Sequence, residues 1–171
     1  MYEDEAIFQV LGTISRTWAL RGVGSEVLSK PGRESIKVFG ALTIETEPRF
    51  NFRFSDVFNS NTFLAFIQHI AHHYEGIKIH MIVDNVGYHH SNKVRDWLGL
   101  EENRNKIEFH YLPPYSPKLN AQEAAWRITR RKMTHNKFFE SARKLYEQLL
   151  RQFNRFQGFS GHLRRIVQPF I

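Results

Sequence analysis

Cysteine is absent from the 171 residues, which removes a disulfide framework, a thiolate zinc site and a cysteine nucleophile together. No apolar run approaches the ~18–20 residues that a membrane-spanning helix needs. The opening MYEDEAIF carries acidic residues where a secretory signal would carry positive charge. Nor is there an internal repeat or a low-complexity linker. These absences lead us to expect a soluble, cytoplasmic protein without a membrane partner, and the length suits one domain, since compact domains cluster near ~100–150 residues.

What is present is a packed core and an excess of positive charge. The hydrophobic fraction is 42% with 15 Phe, which excludes the low-hydrophobicity, high-charge balance of a disordered chain. Lys and Arg number 24 against 17 Asp and Glu, a net charge of +7, the balance expected for a partner made of phosphates. The excess is local. Arg127, Arg130, Arg131, Lys132, Lys137, Arg143, Lys144, Arg151, Arg155, Arg164 and Arg165 all fall between residues 127 and 165.

Hydrophobic periodicity orders the elements. Tyr2 to Val10, Thr17 to Leu20 and Ile36 to Glu45 read as strands, the last keeping a two-residue period broken only by Gly40, and Phe50, Phe52 and Phe54 resume it after the Glu47-Pro48 turn. Asn61 is placed to cap a helix running to Gly76, KIHMIV forms a strand ending at Asp84, and Ser91 caps a helix ending at Gly99. Ile107 to Leu112 forms a further strand before the breaker PPYSP, and helices follow from Asn120 to about Thr134 and from Ser141 to about Phe156. The order predicts an α/β fold with an antiparallel edge and parallel crossovers.

Three acidic residues stand out by position. Asp84 follows an apolar strand, where side chains at the carboxyl end face a crevice in α/β sheets. Asp4 lies inside the first strand, so pleat alternation turns it away from Glu3 and Glu5. Glu123 opens the helix after PPYSP. Metal-assisted phosphodiester cleavage needs two or three carboxylates converging on one point, where they hold hard divalent cations, but among 17 acidic residues position alone does not establish such a set. Each has a plainer reading: Asn120 and Glu123 as a capping box, Asp84-Asn85 as a turn, Asp4 as a solvated terminus. His69 and His73 are spaced i, i+4 without an evident third ligand, and Trp97 and Trp126 fit core positions.

The words VDNVGYHH and LPPYSPKLNAQEAAW resemble the signature of the DDE transposases, in the bacterial insertion-sequence branch of the superfamily shared with the mariner elements. EDEAIF with RTWALRG, THNKFF and GHLRRIVQPF also resemble segments of that family, so the similarity spans nearly the whole chain. The resemblance implies an α/β fold with a ribonuclease-H-like mixed five-stranded sheet flanked by helices. It implies Asp4, Asp84 and Glu123 as catalytic residues holding two Mg2+ or Mn2+ ions, with Asn85 and His89 matching the residues that accompany the second aspartate. The activity implied is two-metal cleavage of double-stranded DNA at element ends and strand transfer into target DNA. Arg127, Arg130, Arg131 and Lys132, on the helix that Glu123 opens, are then candidates for DNA phosphates. Two features depart from the family pattern: alanine follows Asn120 where proline is frequent, and only three residues precede Asp4 where helix-turn-helix modules are usual. The second leads us to expect residues 1–171 to be a single catalytic domain, acting as a homodimer or with a separate DNA-binding part; a DNA-binding remnant and a nuclease without strand transfer are the alternatives.

Overall fold

The computed structural model describes the chain except for residues 17, 19, 23–25, 28–33, 115, 159 and 171 and the side chains of 160 and 162. Strands β1 (Tyr2–Gln9), β2 (Ser35–Leu42) and β3 (Phe50–Ser55) pair antiparallel in sequence order. Strands β4 (Ile79–Val83) and β5 (Ile107–Tyr111) then add in parallel on the other side of β1, giving the order β3-β2-β1-β4-β5. A parallel neighbour cannot be reached by a tight turn. Helices α1 (Ser60–His73) and α2 (Asn92–Gly99) accordingly make the crossovers into β4 and β5.

Pleat alternation gives the sheet two apolar faces. Phe39, Ala41, Met81 and Val83 pack with Phe63, Phe66, Ile67 and Ile70 of α1 on one face. Ala6, Phe8, Val38, Leu42 and Phe50 face helices α3 (Ala121–Thr129), α4 (Ala142–Gly158) and α5 (Ser160–Val167) on the other. There Trp126 meets Phe8, Phe50 and Phe153 edge-on at centroid distances of 6.0, 5.9 and 5.9 Å, a geometry that suits the aromatic quadrupole.

The expected elements form with adjusted ends. The cap of α1 is Asn59, two residues before the expected Asn61, and Asn59 and Thr62 bond reciprocally as a capping box. The helix expected over Asn120 to Thr134 is α-helical only to Thr129; Arg130–Thr134 form a π-helical turn, in which His135 N and Thr134 Oγ1 both donate to Arg130 O. The strand expected over Thr17 to Leu20 falls where residues 17 and 19 lie outside the described set, and Trp18 and Leu20 are not in a strand. Helix α5 has no counterpart among the expected elements.

Gly40, the break in the β2 period, stands opposite Asp4 where α3 lies closest to the sheet. A Cβ there would come within 2.5 Å of Gln122 Nε2 and of the Trp126 indole. Gly40→Ala is expected to destabilise the fold by about 1–3 kcal/mol through overpacking, read by chemical denaturation. An unchanged midpoint would show that α3 is not seated on Gly40.

Candidate active site

Pairing of β1 with β4 creates the site. Tyr2 lies opposite Ile82 in parallel register, and carrying that register two residues on sets Asp4 beside Asp84 on the α3 face of the sheet. Ligand oxygens of Asp4, Asp84 and Glu5 all lie within 4.8 Å of one another. Asp4 Oδ2 is buried without a hydrogen-bond partner among the described residues. Burial, followed by the charges of Glu123, Glu5 and Asp84, pushes the Asp4 carboxyl up to about 8. Asp84 responds oppositely: its hydrogen bond with His89 holds it below its ordinary value despite partial burial. Val86 N donates to Asp84 Oδ1 at 3.0 Å, so Asp84 both starts a turn and faces the cleft.

The opposite face of β1 holds an acidic pair with its own counter-charge. Glu3 is fully buried, and burial together with the charge of Glu5 raises its carboxyl well above the usual range. His89, also fully buried, sits among these groups: Nε2 is 3.2 Å from Glu5 Oε1 and 3.7 Å from Glu3 Oε2, and Nδ1 is 3.2 Å from Asp84 Oδ1. Burial alone would lower the imidazole, but the bonds to Asp84 and Glu5 and the charge of Glu3 bring it up to about 10. Tyr88 donates its hydroxyl to Glu5, and Phe63 packs on the His89 ring at 4.1 Å. The sequence reading did not assign roles to Glu3, Glu5 and Tyr88. Its available signal was the EDE run, since alternation sends Glu3 and Glu5 into an apolar layer that tolerates them only with a buried cation.

Helix α3 brings the third carboxylate. Asn120 caps it by accepting from Gln122 N at 3.0 Å, and its Nδ2 donates to Glu3 O at 3.0 Å, tying the helix start to β1. The Asn120 N–H is taken by Pro117 O, so Asn120 and Glu123 do not close a capping box and the Glu123 carboxylate is left to the cleft. That cleft, of about 450 Å³, is lined by Asp4, Asp84, Asn85, Asn120 and Glu123 with Leu112, Pro113, Pro114, Ser116 and Pro117. Asn85 Nδ2 donates to Leu112 O and joins the loop to the end of β4. Glu123 stands outside the 4.8 Å cluster, 43% exposed, with Arg130 Nη1 at 4.0 Å from Oε2.

The basic residues separate by position. Arg130 approaches Glu123, and its guanidinium lies over the Phe8 ring at 5.6 Å from the centroid. Arg127 lines an adjoining hollow of about 280 Å³ with Lys118 and Arg165, which shares Pro117, Asn120 and Glu123 with the cleft. Arg131 and Lys132 are exposed on the π-helical turn. His69 and His73 stack at 6.4 Å, and no third ligand joins them among the described residues. Trp126 is fully buried core.

A mixed five-stranded sheet in the order β3-β2-β1-β4-β5 with helices on both faces is the ribonuclease-H-like architecture. Residues 1–146 match the family described as DDE superfamily endonuclease, and the chain belongs to that family. The insertion element IS630 uncharacterized 39 kDa protein of Shigella sonnei is 28% identical over 170 residues, covering 99% of this chain and 45% of that protein. The chain thus spans less than half the length of this curated relative. Among solved structures, the Mos1 strand transfer complex superposes with a TM-score of 0.65 at 15% identity, over 98% of this chain and 50% of that one. The Mos1 mariner paired end complex with Mn gives 0.61 at 13%, over 98% and 53%. At such identities these likenesses establish the ribonuclease-H-like fold.

The raised Asp4 carboxyl makes stability depend on pH when no divalent ion is present. The folded value lies above the ordinary 3.8, so its contribution is fully present below 3.8 and is lost as pH rises through about 8. Asp4→Asn removes this dependence. In EDTA, the variant is expected to gain on the parent in thermal stability between pH 4 and pH 8; a constant difference would show that Asp4 titrates normally.

Proposed function

We propose that residues 1–171 are the catalytic domain of a DNA transposase, cutting phosphodiester bonds at element ends and joining the freed ends to target DNA. Asp4, Asp84 and Glu123 are its catalytic carboxylates, and two Mg2+ or Mn2+ ions its cofactors. The observation that carries this reading is the pair Asp4 and Asp84, side by side at the mouth of a cleft with a buried, unpartnered Asp4 oxygen. An all-oxygen donor set suits hard divalent cations, and the upward shift of Asp4, caused first by burial and then by the neighbouring carboxylates, marks a site short of positive charge. When bound, such ions activate water and stabilise charge at an in-line phosphoryl displacement.

The chain's own residues orient and steer. Asp4 occupies the centre of the site because β1 is the central strand, flanked by Asp84 on β4's end and Glu123 on α3. His89 is a positioning residue: its Nδ1 fixes the Asp84 carboxylate while Nε2 is anchored on Glu5. Arg130 holds Glu123 until a phosphate or cation competes for either, and Glu123 is exposed enough to swing inward. Arg127 in the adjoining hollow, Arg130 beside Glu123 and the exposed Arg131 and Lys132 are assigned to phosphates of the DNA backbone. The partners are double-stranded DNA at element ends and target. End recognition is assigned to a further part of the protein or to a homodimer, working in the cytoplasm on the nucleoid.

Mg2+-dependent cleavage of a labelled element-end duplex tests the proposal. Asp84→Asn and Glu123→Gln are each expected to abolish cleavage with folding intact, and His89→Ala to reduce it about 10–100-fold, the usual effect of losing a residue that orients a metal ligand. Cleavage at the parent rate by both carboxylate variants would overturn the assignment. A folded parent that binds the duplex without cutting it would mark a DNA-binding remnant, the reading favoured by the Glu123 contact with Arg130. Cutting without joined products would mark a nuclease.

A further inference from the structure

Helices α3, α4 and α5 cover the β1 to β3 half of the sheet, and on the same face β4 and β5 turn His80, Glu108 and His110 to solvent. Parallel register explains their meeting: His80 lies opposite Glu108, and Ile82 opposite His110, so His80 stands level with Glu108 and diagonal to His110, two residues further along the neighbouring strand. His80 Nδ1 and His110 Nε2 are 2.9 Å apart. Glu108 Oε2 is 3.8 Å from His80 Nδ1, and Oε1 is 3.8 Å from His110 Nε2. Tetrahedral coordination with bonds of ~2.0–2.1 Å sets donors about 3.3 Å apart, and one ligand atom from each of the three side chains lies within 4.8 Å of the other two.

We propose that His80, Glu108 and His110 form a surface site for a zinc-class divalent ion, with the remaining position open to solvent. The donor set decides the ion. Two imidazoles and one carboxylate favour zinc over magnesium, whereas the acidic cleft offers only oxygens. Lys78 Nζ, 2.6 Å from Glu108 Oε2, orients the carboxylate and leaves Oε1 free, the supporting contact that ligating carboxylates usually have. Because the ligands come from both strands, the bound ion clips β4 to edge strand β5 next to the loop that Asn85 holds. The site is separate from the proposed catalytic cleft and stands whether or not that proposal does.

Calorimetric titration with Zn2+ in excess Mg2+, followed by histidine-ring 1H–15N spectra, tests it. One equivalent is expected to bind and to shift the ring signals of His80 and His110 while leaving His69 and His73 in place. The paired variant His80→Ala with His110→Ala is expected to weaken that binding more than about 100-fold, since losing even a supporting contact costs about 10–100-fold. These side chains are roughly half exposed or more, so the variant should fold, as far-UV circular dichroism will report. Asp84→Asn should leave Zn2+ binding unchanged. Absence of saturable binding, persistence of it in the paired variant, or its loss in Asp84→Asn would each overturn the site.

Discussion

The parallel pairing of Tyr2 with Ile82 is the contact on which the rest of the site depends. It sets the first strand at the centre of the sheet and brings Asp4 beside Asp84. It also carries three consecutive carboxylates, Glu3, Asp4 and Glu5, into a region that water reaches poorly. Burying a carboxylate is costly unless a cation or hydrogen bonds compensate. On the α1 face the protein supplies the cation itself, as His89 between Glu3, Glu5 and Asp84. On the α3 face no group of the described residues hydrogen-bonds Asp4 Oδ2. His89 thus ties Glu5 to Asp84 across the strand ends, whereas Glu3 and Asp4 keep buried carboxylate oxygens without hydrogen-bond partners among the described residues, and of these two Asp4 lines the cleft, where a divalent ion can provide the missing charge.

Holding such repulsion in place requires a rigid surround. The aromatic packing of Phe8, Phe50, Trp126 and Phe153 lies immediately beneath α3, and Gly40 lets that helix approach until Trp126 and Gln122 fill the space a side chain would take. Asn120 then bonds across to the β1 backbone, so the glutamate-bearing helix is registered against the aspartate-bearing strand by one buried amide. Sites whose groups repel one another without ligand trade stability for function.

Much of this was legible in local pattern. Alternation alone turns Asp4 away from Glu3 and Glu5, an apolar strand puts Asp84 at its carboxyl end, and PPYSP forces a new helix to open near Glu123. The remainder depends on groups distant in sequence. Gly40 reads as a flaw in a strand until Trp126 is set over it. Asn120 looks like half of a capping box, but Pro117 O takes the N–H that Glu123 would need. The His89 network joins β1 to the turn after β4, and no spacing rule connects them. Asn59 rather than Asn61 caps α1 because Thr62 can answer it from the third helical position, a competition between neighbouring asparagines that composition does not resolve.

The most direct test of a cation-deficient α3 face is a crystal of the protein soaked in Mn2+ and read by anomalous scattering. The account predicts manganese in the cleft, ligated by Asp4 and Asp84 with Glu123 turned in from Arg130. Manganese bound instead by Glu3 and Glu5 at His89, or a cleft left empty at saturating Mn2+, would contradict it.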